Sequence, residues 1–145
     1  MAFRFPLATV LRVRESIERR EELALERIQL EMARVARQIE ELNEAMTRAH
    51  ATRNQALRQP MPGGELHSML EQVQAAARTR GALLITLQGL EERRLKQMKI
   101  YQIAHRDHET MVNLFKEQRD LYELEEARRE QKYLDDIFMA RRHRS

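Results

Sequence analysis

Between Leu25 and Ala49 the apolar residues fall at Leu25, Ile28, Met32, Val35, Ile39, Leu42, Met46 and Ala49, separated alternately by three and four positions. Each such pair of steps is one heptad, so these side chains form a single narrow seam along a helix. A seam that narrow contributes nothing until a second helix covers it, and staying covered requires a left-handed supercoil. Upstream, Val10, Ile17 and Ala24 keep the heptad spacing one residue out of phase, which predicts a local stutter between Ala24 and Met32. The chain is therefore expected to be built from long, paired helices.

Composition agrees. Ala, Glu, Lys, Leu and Arg fill 79 of the 145 positions, above the half-share typical of long helices and coiled coils. Leu, Ile, Val and Phe number 34, enough for a core. Four Gly and three Pro are too few to turn many short strands, so a sheet protein is excluded. With no Cys there is no disulfide and no thiolate metal site.

Only Gln59-Pro60-Met61-Pro62-Gly63-Gly64 breaks helix firmly, through two prolines lacking amide donors and two glycines suited to turns. The expected organisation is one coiled-coil domain over 1–145. A helix over about 6–58 is followed by a turn at 59–64, a helical region over about 65–142 and a basic tail at 141–145. So short a turn makes the two helices antiparallel neighbours. The fold class is thus all-α, a long antiparallel two-helix coiled-coil hairpin.

The second half holds a looser register. Leu66, Met69, Val73, Ala76, Leu83, Leu87 and Leu90 form one stretch, interrupted by Arg80. Met98, Tyr101, His105, His108, Val112, Phe115 and Tyr122 form another, and Leu124, Ala127, Leu134, Ile137 and Phe138 a last stripe. The second helical region outruns the first by about two dozen residues. A bend or break near Gly81, which would leave a third segment nearly matching the first in length, is favoured; without one, the C-terminal helix overhangs.

The charge is uneven. Residues 1–14 hold Arg4, Arg12 and Arg14 without an acid, and residues 137–145 hold Arg141, Arg142 and Arg144 without an acid. In an antiparallel hairpin both sets are expected at one cationic pole beside Phe3, Phe5, Ile137, Phe138 and Met139. Apolar residues there should have few intramolecular partners, so the pole reads as an interface. Of the 26 basic residues 22 are Arg, whose planar fork suits carboxylate or phosphate.

Catalytic signatures are missing: no phosphate loop, no Gly-rich nucleotide fingerprint and no nucleophile elbow occurs. A two-helix rod encloses no substrate cavity, so neither an enzyme nor a small-molecule substrate is expected. His105-Arg106-Asp107-His108-Glu109 has the one metal-like spacing, but one helix cannot supply three or four ligands, and a polar layer in the seam explains both His. No cofactor is called for. Nucleic-acid binding is disfavoured, because Arg12-Val13-Arg14-Glu15-Ser16-Ile17-Glu18-Arg19-Arg20-Glu21-Glu22 alternates in sign where a basic zipper is acid-free. No window reaches the roughly 20 apolar residues of a membrane span and no signal-peptide core is visible, so a soluble cytoplasmic protein is expected.

Two terminal motifs carry a resemblance. Phe3-Arg4-Phe5-Pro6-Leu7-Ala8-Thr9-Val10-Leu11-Arg12-Val13-Arg14-Glu15 resembles the start of FliJ-family flagellar export proteins. Glu126-Ala127-Arg128-Arg129-Glu130-Gln131-Lys132-Tyr133-Leu134-Asp135-Asp136-Ile137 resembles that family's second signature, with Asp136 in place of the usual Glu. Length and helix–turn–helix layout agree along the whole chain. The resemblance implies an antiparallel coiled coil like the central stalk of rotary ATPases. It would dock in the pore of a hexameric export ATPase (FliI-type), promote its assembly, contact the export gate protein (FlhA-type) and serve export chaperones. It would reach the membrane only indirectly through that gate, at the cytoplasmic face of the flagellar base. The ATPase-facing candidates are Phe3, Arg4, Phe5, Leu7, Arg12, Arg14, Arg129, Lys132, Ile137, Phe138, Arg141, Arg142 and Arg144; no residues are assigned to the gate surface. The equivalent stalk of a virulence-type secretion system, a generic coiled-coil scaffold and, more remotely, a nucleic-acid-binding coiled coil are the alternatives.

Overall fold

The structure, a computed structural model, describes residues 2–144. Two helices account for nearly all of it: α1, Ala8–Ala56, and α2, Gly63–Arg144, of 49 and 82 residues. They pack against each other as an all-α helical hairpin, and no strand occurs among the described residues.

The helix ends follow from local chemistry. Pro6 and Leu7 form a turn before α1, and the Phe5 carbonyl accepts from the Ala8 amide at 3.1 Å. Pro6, without an N–H, loses no bond there. At the other end the Arg58 and Gln59 amides donate to the carbonyls of Gln55 and Ala56, both at 3.3 Å, a tightening to three-residue spacing that uses otherwise orphaned carbonyls. The Pro62 carbonyl then accepts from the Glu65 and Leu66 amides and so starts α2. Gly63 and Gly64 therefore open the helix instead of supplying left-handed turn conformations; no glycine among the described residues has a positive φ.

Helix α2 also passes through Gly81 and Gly89 without interruption. The break favoured near Gly81 is not made. A glycine inside a helix costs about 1 kcal/mol relative to Ala, too little to stop a helix whose neighbours on both sides are covered by α1.

The described residues group into two compact units. One comprises Glu22–Ile100. Its core is the expected seam: Leu25, Ile28 and Val35 of α1 and Leu90 of α2 are buried, and Met32, Ile39, Leu42, Met46, Val73, Leu83 and Leu87 are half-buried. Arg80, the interruption in the α2 register, reaches across instead of packing, donating to Asn43 Oδ1 at 3.0 Å.

The second unit comprises the chain up to Glu21 and from Tyr101 onward. Its buried residues are Phe5 and Ala104. Here the half-buried α1 positions Leu11, Arg14, Glu18 and Glu21 extend the spacing of Leu25 backwards without a change of phase. Polar side chains thus occupy seam positions, and α2 answers them with polar partners.

Candidate functional site

Residues 2–5 of the terminal unit are irregular chain ahead of α1. Both Phe3 and Phe5 turn their rings toward α2. The Phe5 ring meets Phe115 edge-on, with centroids 5.3 Å apart and an interplanar angle of 84°. Phe3 lies 5.7 Å from Phe115 and 5.4 Å from Tyr122. Phe115 and Tyr122 are one heptad apart on α2, so two stacked turns offer a platform that the two N-terminal rings fill. Arg119 adds its guanidinium over Phe115 at 5.8 Å. The cluster clamps the N-terminal stretch to α2, and such pairs each contribute roughly 0.5–1.5 kcal/mol beyond area burial.

One to two turns inward lies a polar layer. Both oxygens of Glu18 are taken by α2: His105 Nδ1 at 2.9 Å from Oε1 and His108 Nδ1 at 2.5 Å from Oε2. Each ring must carry its proton on Nδ1 to donate to a carboxylate. The His105 bond to Glu18 pushes the His105 pKa up, and the same bond holds the Glu18 carboxyl below its usual range against a smaller opposing effect of burial. Arg14 reaches Asp107 at 3.3 Å beside this layer. Among the described residues no group of three or more His, Asp or Glu is arranged to hold a metal ion. Through these bonds His105 and His108 form a polar layer across from Glu18.

The sequence-nominated surface residues divide into two sets. Arg4 and Arg12 are exposed, and Leu7 is exposed at the start of α1. Phe5 is buried and Phe3 half-buried in the aromatic cluster, which corrects, for these two, the expectation of few intramolecular partners. Arg14 is half-buried and ion-paired. The exposed flank of α1 carries a shallow groove of about 320 Å³ lined by Thr9, Arg12, Val13, Ser16, Ile17 and Arg20.

The second set sits farther along α2. Among the described residues the N-terminal stretch meets α2 at Phe115 and Tyr122, and Arg141 is nineteen residues beyond Tyr122, roughly 28 Å at 1.5 Å per residue. The expectation that Arg4, Arg12 and Arg14 share one pole with Arg141, Arg142 and Arg144 therefore needs correction. An unbroken α2 outruns α1, and its last twenty or so residues have no α1 residue opposite. On that overhang Arg129 pairs with Glu126 at 2.9 Å, Lys132, Arg141, Arg142 and Arg144 are exposed, Ile137 is half-buried and Phe138 is 66% exposed. Leu121, Leu124, Tyr133, Leu134 and Met139 are also at least half exposed or nearly so, between 49% and 67%.

The aromatic platform was hidden in the sequence because Phe115 and Tyr122 read as ordinary seam residues. The signal that could have found it is the Phe3/Phe5 spacing of two in a segment that Pro6 keeps out of the helix. No described helix is long and apolar enough to cross a membrane. No curated protein and no solved structure matches the chain significantly. Residues 3–145, essentially the whole chain, match the family of the flagellar FliJ protein, and the chain belongs to that family of flagellar export, stalk-type proteins.

Proposed function

We infer that this protein is the non-enzymatic stalk of a flagellar export ATPase complex. It docks in the pore of the hexameric ATPase, promotes assembly and ATP hydrolysis, and couples the hexamer to the export gate and to export chaperones at the cytoplasmic face of the flagellar base. The supporting observation is the end of α2. A helix that continues past its partner with half-exposed Leu124, Leu134 and Phe138, and with exposed Arg141, Arg142 and Arg144, offers apolar and cationic groups to another protein. The exposed Leu7 just before α1, with Val10, Arg12 and Val13 of α1, offers a second strip of the same character. Family membership favours the flagellar system over the virulence-type one.

The test is ATP hydrolysis by the cognate hexamer with and without this protein. Addition should raise turnover, and Arg141→Glu, Arg142→Glu and Arg144→Glu together should weaken ATPase binding while helicity stays unchanged. Unaltered binding by that triple variant removes these residues from the interface; unaltered turnover on adding the wild-type protein removes the function.

A further inference from the structure

The overhang of α2 has a charge order that its own sequence can satisfy. Residues 117–126 carry Glu117, Asp120, Glu123, Glu125 and Glu126 against a single Arg119. Residues 127–136 balance three bases with three acids, and residues 137–144 carry three Arg and no acid. Along about 42 Å of helix the charge thus runs from acidic through neutral to basic. Several of the acids have local, exposed partners: Glu125 and Glu126 share Arg129, and Asp120 lies 3.9 Å from Arg119. Exposed pairs of this kind exchange partners at little cost.

An apolar stripe runs through the same segment. Leu124, Ala127, Leu134 and Phe138 fall on heptad core positions, with Gln131 between them and Arg141 next in line. All are exposed, and nothing on α1 extends far enough to cover them. Leu124 follows Tyr122 by two residues, roughly 200° round the helix. The stripe therefore faces away from the side on which Tyr122 takes Phe3. A helix could lie on it without disturbing the aromatic clamp.

We propose that this face pairs with the same face of a second copy, antiparallel, centred near Lys132. In that arrangement the basic end of each helix lies on the acidic stretch of the other, Phe138 meets Ala127, and Leu134 meets Gln131. The two-fold axis makes every contact occur twice. A parallel pair would instead set acid on acid and base on base, and would align the helix dipoles unfavourably. About three heptads with a polar and a small residue at the centre make a weak, reversible dimer, one that populates at roughly tens of micromolar protein. The pairing covers the surface that the proposed ATPase contact uses, but it does not depend on that contact.

Sedimentation equilibrium of the full chain alone, from about 5 to 500 µM, measures it directly. The wild type should dimerise reversibly, several-fold more weakly in about 0.5 M salt than in 0.05 M. The variant with Arg141, Arg142 and Arg144 changed to Glu should lose about tenfold or more in self-association, as should the variant with Asp120, Glu123 and Glu126 changed to Arg. Mixed in equal amounts, the two should associate again, because each reversed segment then faces its complement. Circular dichroism on both variants shows whether α2 remains helical. The chain has no Cys, so Gln131→Cys introduces a sole thiol close to the axis and should give a disulfide-linked dimer on oxidation. Leu124→Cys should not, its two copies being about 25 Å apart along the axis. A wild type that stays monomeric throughout, a mixture that fails to associate, or a cross-linked Leu124→Cys dimer overturns the proposal. No ATPase is present in these measurements, so failure here leaves the stalk reading to its own test.

Discussion

Phe5→Ala tests whether the aromatic clamp, and not helix pairing alone, holds the start of the chain on α2. Phe5 is 8% exposed and packs edge-on against Phe115. Burying most of a phenylalanine side chain removes roughly 180 Å² of surface from water, worth about 4.5 kcal/mol at 25 cal/mol per Å². The alanine retains part of that area, and a compact unfolded reference lowers the total again, leaving an expected loss of about 2–4 kcal/mol. Because the clamp lies at one end of the pairing, the loss should fall locally. Amide exchange in Ala8–Arg14 and in Met111–Tyr122 should accelerate by roughly 30- to 1,000-fold at 1.4 kcal/mol per tenfold, while amides around Val35 and Leu90 change little. Leu7→Ala, at a position 37% exposed, is the control and should cost under about 1 kcal/mol. If Phe5→Ala accelerates exchange less than about tenfold, or no more than Leu7→Ala does, the clamp does not hold the N-terminal stretch and the energetic account above is wrong.

The Glu18 layer should make stability depend on pH. A raised His105 pKa contributes stability that is complete below the ordinary value of 6.5 and is lost as pH rises through the folded value. A lowered Glu18 pKa contributes stability present above 4.5 and lost as pH falls through the folded value. Thermal melts should therefore show the largest gap between wild type and Glu18→Gln from about pH 4.5 to 6.5, narrowing on both sides; a gap that does not vary with pH would mean that no charged pair forms. Gly81→Ala and Gly89→Ala should each stabilise by up to about 1 kcal/mol in urea unfolding, because both glycines are helical and an added Cβ meets nothing within 4 Å. Val35→Ala, at a site 2% exposed, should cost roughly 2 kcal/mol, against less than about 0.5 kcal/mol for Leu30→Ala at a position 71% exposed.

Much of the architecture was legible from residue spacing alone. The steps from Leu25 to Ala49 name the buried face of α1, because a helix fixes which residues share a side whatever surrounds it. The Pro60–Gly64 segment marks the single turn for an equally local reason, the lack of amide donors. The terminal motifs pointed to the family that residues 3–145 match. These are properties of the covalent chain and its immediate backbone.

What the sequence could not determine was how two faces of unequal length line up. Whether α2 breaks at Gly81 depends on a glycine penalty of about 1 kcal/mol weighed against packing along both sides, which only the paired structure supplies. That choice decides the rest. An unbroken α2 places Arg141 far beyond the reach of Arg4, sets Glu18 against His105 and His108, and brings Phe3 and Phe5 onto Phe115 and Tyr122. It also leaves Leu124, Leu134 and Phe138 exposed. Spacing assigns each residue to a face, but register between two helices is set by the sum of many weak cross-helix contacts, and that sum exists only once both are folded.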